Sequence, residues 1–127
     1  MAKNNPVVYF EIPINDMERA TIFYKEIFGY EFEIAEIHGN QMAFFPFGEG
    51  MPGASGALAK GEIYKPTKDG VVVYLGCDNI DDVLEKITSR KGVILFPKTE
   101  VENTGFVAEI EDSEGNRIAL FEKLRES

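Results

Sequence analysis

VVYFEIPINDMERATIFYKEIFG, residues 7–29, changes its hydrophobic spacing partway along, and that change decides the fold. Residues 7–13 are a short apolar run rich in β-branched and aromatic side chains and closed by Pro13, the pattern of a buried strand. From there the interval lengthens, with Met17, Ala20, Tyr24, Ile27 and Phe28 at helical spacing. Asn15 offers an N-cap with Glu18 three residues on, a capping-box arrangement, and Gly29 suits the left-handed turn that closes a helix. The stretch predicts a strand over 7–13 and a helix over about 16–28.

The same passage recurs further along the chain. Residues 71–77, Val-Val-Val-Tyr-Leu-Gly-Cys, read as a second strand, followed by Asp78-Asn79 and the helical set Ile80, Val83, Leu84 and Ile87. Val8 and Val71, Met17 and Ile80, Ala20 and Val83, Tyr24 and Ile87, and Gly29 and Gly92 each stand 63 positions apart. A constant offset through strand, helix and terminating glycine marks an internal duplication. Three more strand-like runs follow each helix, over 30–37, 40–47 and 55–60, then over 93–101, 104–111 and 116–122. Each half is βαβββ, and the repeats span about 7–60 and 70–123 of one domain covering 1–127. Gly48–Gly53 and Gly61–Asp69 read as loops, the second bridging the halves. One such unit leaves a sheet face bare. The pattern therefore predicts an α+β fold in which the halves pair side by side as a curved, cupped mixed sheet, with helices outside and a concave face inward.

Composition narrows the function. With 127 residues and 44% apolar content, the chain can bury a core without disulfides or structural metals. Its 22 acidic against 13 basic residues give a formal charge of −9, which argues against a partner whose backbone is a row of phosphates. Cys77 is the only cysteine, so neither an internal disulfide nor a cysteine-based zinc site is available, and a reducing cytoplasm is the expected compartment. No apolar run approaches the roughly 18 residues needed to cross a membrane.

Asn15 to Tyr24 followed by Phe28-Gly29-Tyr30, together with Asp112-Ser113-Glu114-Gly115-Asn116-Arg117-Ile118, resembles the opening strand-to-helix signature and the closing hairpin of the vicinal oxygen chelate superfamily. That group contains glyoxalases, bleomycin-resistance proteins and extradiol dioxygenases. The resemblance runs over essentially the whole chain and implies the glyoxalase/bleomycin-resistance/dioxygenase fold. It also implies four metal-ligand positions, on the first and last strands of each half. These fall on Tyr9, Val72, Gly56 or Ala57, and Ala119, none of them a customary ligand of a divalent metal. The expectation is a protein without a metal or other cofactor.

Strand alternation sends Val8, Phe10 and Ile12 to the helix side and leaves Tyr9, Glu11 and Pro13 toward the concavity. Glu11 stands out, since a carboxylate in an apolar strand is costly to bury without a partner. Tyr74, 63 positions beyond Glu11, is expected to share the cavity. Among Phe44, Phe45, Phe47 and Phe121, the residues Phe45 and Phe121 are taken as ligand-facing, a lining suited to a flat or cationic molecule. His38 beside Gly39-Asn40 reads as a surface hairpin turn, Cys77 as a small core residue, and 48–53 as a flap. Two functions follow. One is binding of a small organic molecule at Tyr9, Glu11, Tyr74, Phe45 and Phe121, by a homodimer with no nucleic-acid or membrane partner. The alternative is catalysis, either metal-independent isomerase or lyase chemistry with Glu11 as base, or metal-dependent lyase or dioxygenase chemistry with ligands placed elsewhere.

Overall fold

A computed structural model describes residues 5–125. The first module comprises β1 (Tyr9–Pro13), α1 (Met17–Phe28), β2 (Glu33–Ile37), β3 (Asn40–Phe44) and β4 (Ser55–Lys60). The second comprises β5 (Val73–Gly76), α2 (Ile80–Ser89), β6 (Ile94–Val101), β7 (Gly105–Glu111) and β8 (Arg117–Lys123). Each module forms a four-stranded mixed sheet, ordered β1-β4-β3-β2 and β5-β8-β7-β6. The first strand of each runs parallel to the last, and the remaining pairs are antiparallel. Both βαβββ units inferred from the duplication are therefore present.

Local chemistry explains the boundaries. Asp16, rather than Asn15, caps α1: its Oδ1 accepts the Arg19 backbone N–H at 2.9 Å. Gly29 closes the helix at φ +80° while donating to the Lys25 carbonyl at 2.8 Å. Ala20, Phe23, Tyr24 and Ile27 form the buried stripe, with Met17 and Phe28 only partly covered. Asn79 caps α2 through the Asp82 N–H. There the left-handed residue is Lys91, and Gly92 serves a different need, since a Cβ at Gly92 would press on Ile87. His38 and Gly39, both at positive φ, make the two-residue turn between β2 and β3.

One apolar cluster draws on both sheets and both helices, including Ile12, Tyr24, Leu58, Ile80, Ile110 and Leu120. Each helix buries one face and exposes the other, and α1 packs against α2. The expected continuous sheet is not formed within the chain. Among the described residues no hydrogen-bonded strand pair joins the two sheets, and β1 and β5 each keep one unpaired edge. The modules are instead tied together through the shared core and the turn between β7 and β8.

That turn, residues 112–116, lies over the start of α1. The buried Glu114 Oε1 accepts the backbone N–H groups of Asn15 at 2.8 Å and Asp16 at 2.9 Å, and Arg19 grips both carboxylate oxygens at 2.7 and 3.0 Å. An anion here meets unsatisfied N–H groups and the positive end of the helix dipole. Asn116 donates to the Pro13 carbonyl at 2.7 Å, and Tyr24 donates to Asp112 at 2.7 Å in the interior. Burial pushes the Tyr24 phenol well above its usual range and raises Asp112.

Burial alone would raise Glu114, but hydrogen bonds from Arg19, Asn15, Asp16 and Ser113 outweigh it and hold the carboxyl at about 2. Its folded value lies below its unfolded one, so its contribution is complete above about pH 4.5 and is lost as pH falls toward 2. Denaturant titrations between pH 2 and 7 are expected to show Glu114→Gln less stable than the native chain by about 2 kcal/mol at neutral pH and less sensitive to acid. Equal acid sensitivity in the two proteins would contradict this role.

Candidate functional site

Sheet register sorts the side chains. Glu11 pairs with Ala57, which pairs with Phe44, while Pro13 pairs with Ala59, which pairs with Met42. These residues share the face of the first sheet that points away from α1. Met42, Ala57 and Ala59 form a small buried apolar patch there, with Phe44 and Tyr64 packed at its border. Phe10, Ile12 and Leu58 face the core instead. Gly56 belongs to that inner face, where any Cβ would run into the Phe10 ring.

Glu11 is exposed, a solvated wall rather than a buried group. Its two oxygens are nonetheless occupied: Tyr9 donates to Oε2 at 3.0 Å and Tyr64 to Oε1 at 2.9 Å. Burial, then the hydrogen bond to Glu11, pushes the Tyr9 phenol up to about 12. The hydrogen bond to Glu11 is the leading cause of the upward shift at Tyr64. Both phenols stay protonated donors at neutral pH. Among the described residues no Lys or Arg forms an ion pair with Glu11, whereas Glu109 is paired with Arg117 and Glu111 with Lys68 at 2.7 Å.

Tyr64 was not singled out from the sequence, because it lies in the bridging segment 61–69. A local turn, with the Tyr64 N–H on the Gly61 carbonyl at 3.1 Å, returns its ring to the sheet. The only advance signal was an aromatic residue in an otherwise charged and glycine-rich loop.

The other candidates lie on other elements, and two of them, Tyr74 and Phe45, line one cleft between the modules. Tyr74 lies on the second sheet, 55% exposed, paired with Ala119. Among the described residues it makes no hydrogen bond to Glu11. Phe121 is half-buried beside Val107 on that same outward face. Phe45 is 9% exposed and belongs to the core aromatic cluster with Phe10, Tyr24, Tyr30 and Phe32. His38 is exposed in its turn, and burial pushes the half-buried Cys77 thiol up to about 11, which suits a packing role.

The four positions of the superfamily's metal cage offer a poor donor set. Ala57 and Ala119 are buried methyl groups, Val72 is aliphatic, and the Tyr9 phenol is committed to Glu11. Among the described residues no group of three or more His, Cys, Asp or Glu side chains is placed to hold a metal ion. These residues do not fit the group. Among the described residues no helix is long and apolar enough to cross a membrane.

The sequence profile of the bleomycin resistance protein-like N-terminal family matches residues 7–47. No curated protein sequence matches the chain. Among solved structures, a glyoxalase family protein from Bacillus cereus aligns with a TM-score of 0.74 at 19% identity, over 98% of this chain and 99% of its own. TnmS3, an antibiotic binding protein from a Streptomyces species, aligns with a TM-score of 0.68 at 19% identity, over 98% and 100%. A mutant glyoxalase I from Zea mays gives 0.72 at 18% identity over 93% of this chain, which covers 45% of the maize protein. The chain thus has the glyoxalase/bleomycin-resistance/dioxygenase fold, and its resemblance to the vicinal oxygen chelate superfamily holds.

The Tyr9–Glu11 contact has a titration signature. In Glu11→Gln the charge that holds the Tyr9 proton is removed, while the burial remains. NMR of ζ-carbon-labelled tyrosine at about pH 11 is expected to find Tyr9 mostly protonated in the native chain and more ionised in the variant. Identical titrations would mean that the contact does not persist in solution.

Proposed function

We propose that this protein binds a small organic molecule, without a metal, on the outward face of the first sheet, in the manner of a bleomycin-resistance-type binding protein. The carrying observation is Glu11: an exposed carboxylate held in place by two phenols, beside an apolar patch, with no cation paired to it among the described residues. In a chain of charge −9 this favours a ligand with a cationic group and a flat apolar body. Tyr9 and Tyr64 are kept protonated, so they position Glu11 rather than exchange protons with a substrate, which favours binding over acid–base catalysis.

The cavity is completed by a second copy of the chain. The unpaired edges of β1 and β5 are templates for strand addition, and Val8, Val71 and Tyr74 near them are well exposed, Val71 by 94%. A partner joining at these edges would set its Tyr74 and Phe121 opposite Glu11, meeting across subunits as they do not within one. A soluble cytoplasmic homodimer is the resulting reading.

Planar organic cations such as ethidium and acriflavine provide the test, with binding followed by fluorescence. Glu11→Gln is expected to weaken binding about tenfold with the fold intact, the loss of one charge-assisted contact. Unchanged affinity would remove Glu11 from the site.

A further inference from the structure

A second opening lies away from the Glu11 face, between the two modules. It is a cleft of about 430 Å³ bounded by Phe10, Tyr30 and Phe45 from the first module and by Val73 and Leu75 from the second, with Ala54 at its rim. That volume is in the range of small-molecule pockets. No charged side chain lines it, although 28% of the chain is charged and each of the four other clefts described carries at least one such residue. An uncharged hollow on so acidic a protein excludes ions and favours neutral, apolar contents.

Two side-chain hydroxyls interrupt the apolar lining: that of Tyr74, which is 55% exposed, and that of Tyr30, which is held within the packed aromatic wall. The Tyr30 ring is fixed by stacking on Phe28, with centroids 5.2 Å apart, and by edge contact with Phe45 at 5.5 Å. Its hydroxyl has no hydrogen-bond partner in the protein among the described residues, whereas those of Tyr9, Tyr24 and Tyr64 are each bonded to a carboxylate. No wholly enclosed side-chain oxygen or nitrogen lacks a partner among the described residues, so the Tyr30 hydroxyl retains access to open space. Burial, with a contribution from the nearby Cys77 thiol, pushes this phenol up to about 12. It is therefore a fixed, protonated donor with no acceptor among the described residues.

We infer that this cleft is a second ligand site, separate from the Glu11 face, for a neutral, flat, apolar molecule carrying one hydrogen-bond acceptor such as a ketone carbonyl, with Tyr30 as the donor. Phe10 and Phe45 supply aromatic walls, and Val73 and Leu75 the opposite side. Neither the carboxylate nor the outward face of the first sheet takes part.

The test uses 2-acetylnaphthalene as the probe and 2-ethylnaphthalene as its acceptor-free counterpart, titrated into the full chain and followed by NMR. The expected result is saturable one-to-one binding of the ketone, with shifts at Val73 and Leu75 methyls and none at the Met42 methyl on the sheet face. Tyr30→Phe should weaken the ketone about three- to tenfold, one neutral hydrogen bond, and leave the hydrocarbon unchanged. Removing a hydroxyl without a protein partner leaves no buried group unsatisfied, so this variant keeps its fold. Ala54→Phe should obstruct both probes and Glu11→Gln neither. Absence of saturable binding would overturn the inference, as would a ketone whose affinity ignores Tyr30→Phe or falls with Glu11→Gln. Val71 and Tyr74, at the edge where the proposed second copy would join, also line this cleft, so the inference requires the cleft to stay open in the dimer; binding that vanishes as protein concentration rises would overturn it.

Discussion

A single buried carboxylate organises this molecule. Glu114, delivered by the turn between β7 and β8, occupies the N-terminus of α1 and satisfies backbone N–H groups that Asp16 alone does not reach. Arg19 neutralises it, and Asn116 and Asp112 extend the same turn to Pro13 and Tyr24. Removing Arg19 strands the enclosed Glu114 carboxylate, and removing Glu114 leaves backbone N–H groups of α1 without their acceptor, so the contact commits the two modules to one relative placement. The free edges of β1 and β5, the outward sheet faces and the intervening cleft all depend on it.

Charge placement then sets Glu11 apart from the other carboxylates. Glu109 and Glu111 on the second sheet meet Arg117 and Lys68, and Glu114 meets Arg19. Among the described residues Glu11 meets only phenols. Hydroxyl donors fix a carboxylate's orientation without cancelling its charge, so the first sheet presents a preformed anion beside an apolar patch. That economy of structure suits recognition of a cation and needs no metal donor set, which Ala57, Ala119 and Val72 cannot supply.

The duplication made the fold readable. The 63-residue offset carried strand, helix and terminating glycine together, and both βαβββ units follow it in the structure. Single-residue assignments fared less evenly, because neighbours compete for one role: Asp16 took the cap while Asn15 gave its N–H to Glu114, nearly a hundred residues away. Strand alternation correctly placed Tyr9 and Glu11 on one face, but exposure at a sheet edge is tertiary, and Glu11 is solvated rather than buried. Phe45 entered the core because alternation continues through it: Met42 and Phe44 face outward, Ala43 and Phe45 inward, and the Phe45 N–H still bonds to the Gly56 carbonyl at 3.0 Å. Tyr64 was hidden in a loop whose turn only the assembled chain defines, and Tyr74 was paired with Glu11 by a symmetry that the chain does not close on itself.

The central claim is that the Glu11 face binds its ligand without a metal. Metal analysis of untagged protein grown with manganese, iron, nickel and zinc, followed by calorimetric titration of each ion into chelator-treated protein, tests it most directly. The account predicts substoichiometric metal in the purified protein and no saturable binding. Tight one-to-one uptake of any of these ions, lost on substitution of Tyr9 or Glu11, would contradict it and return the protein to the superfamily's metal-dependent chemistry.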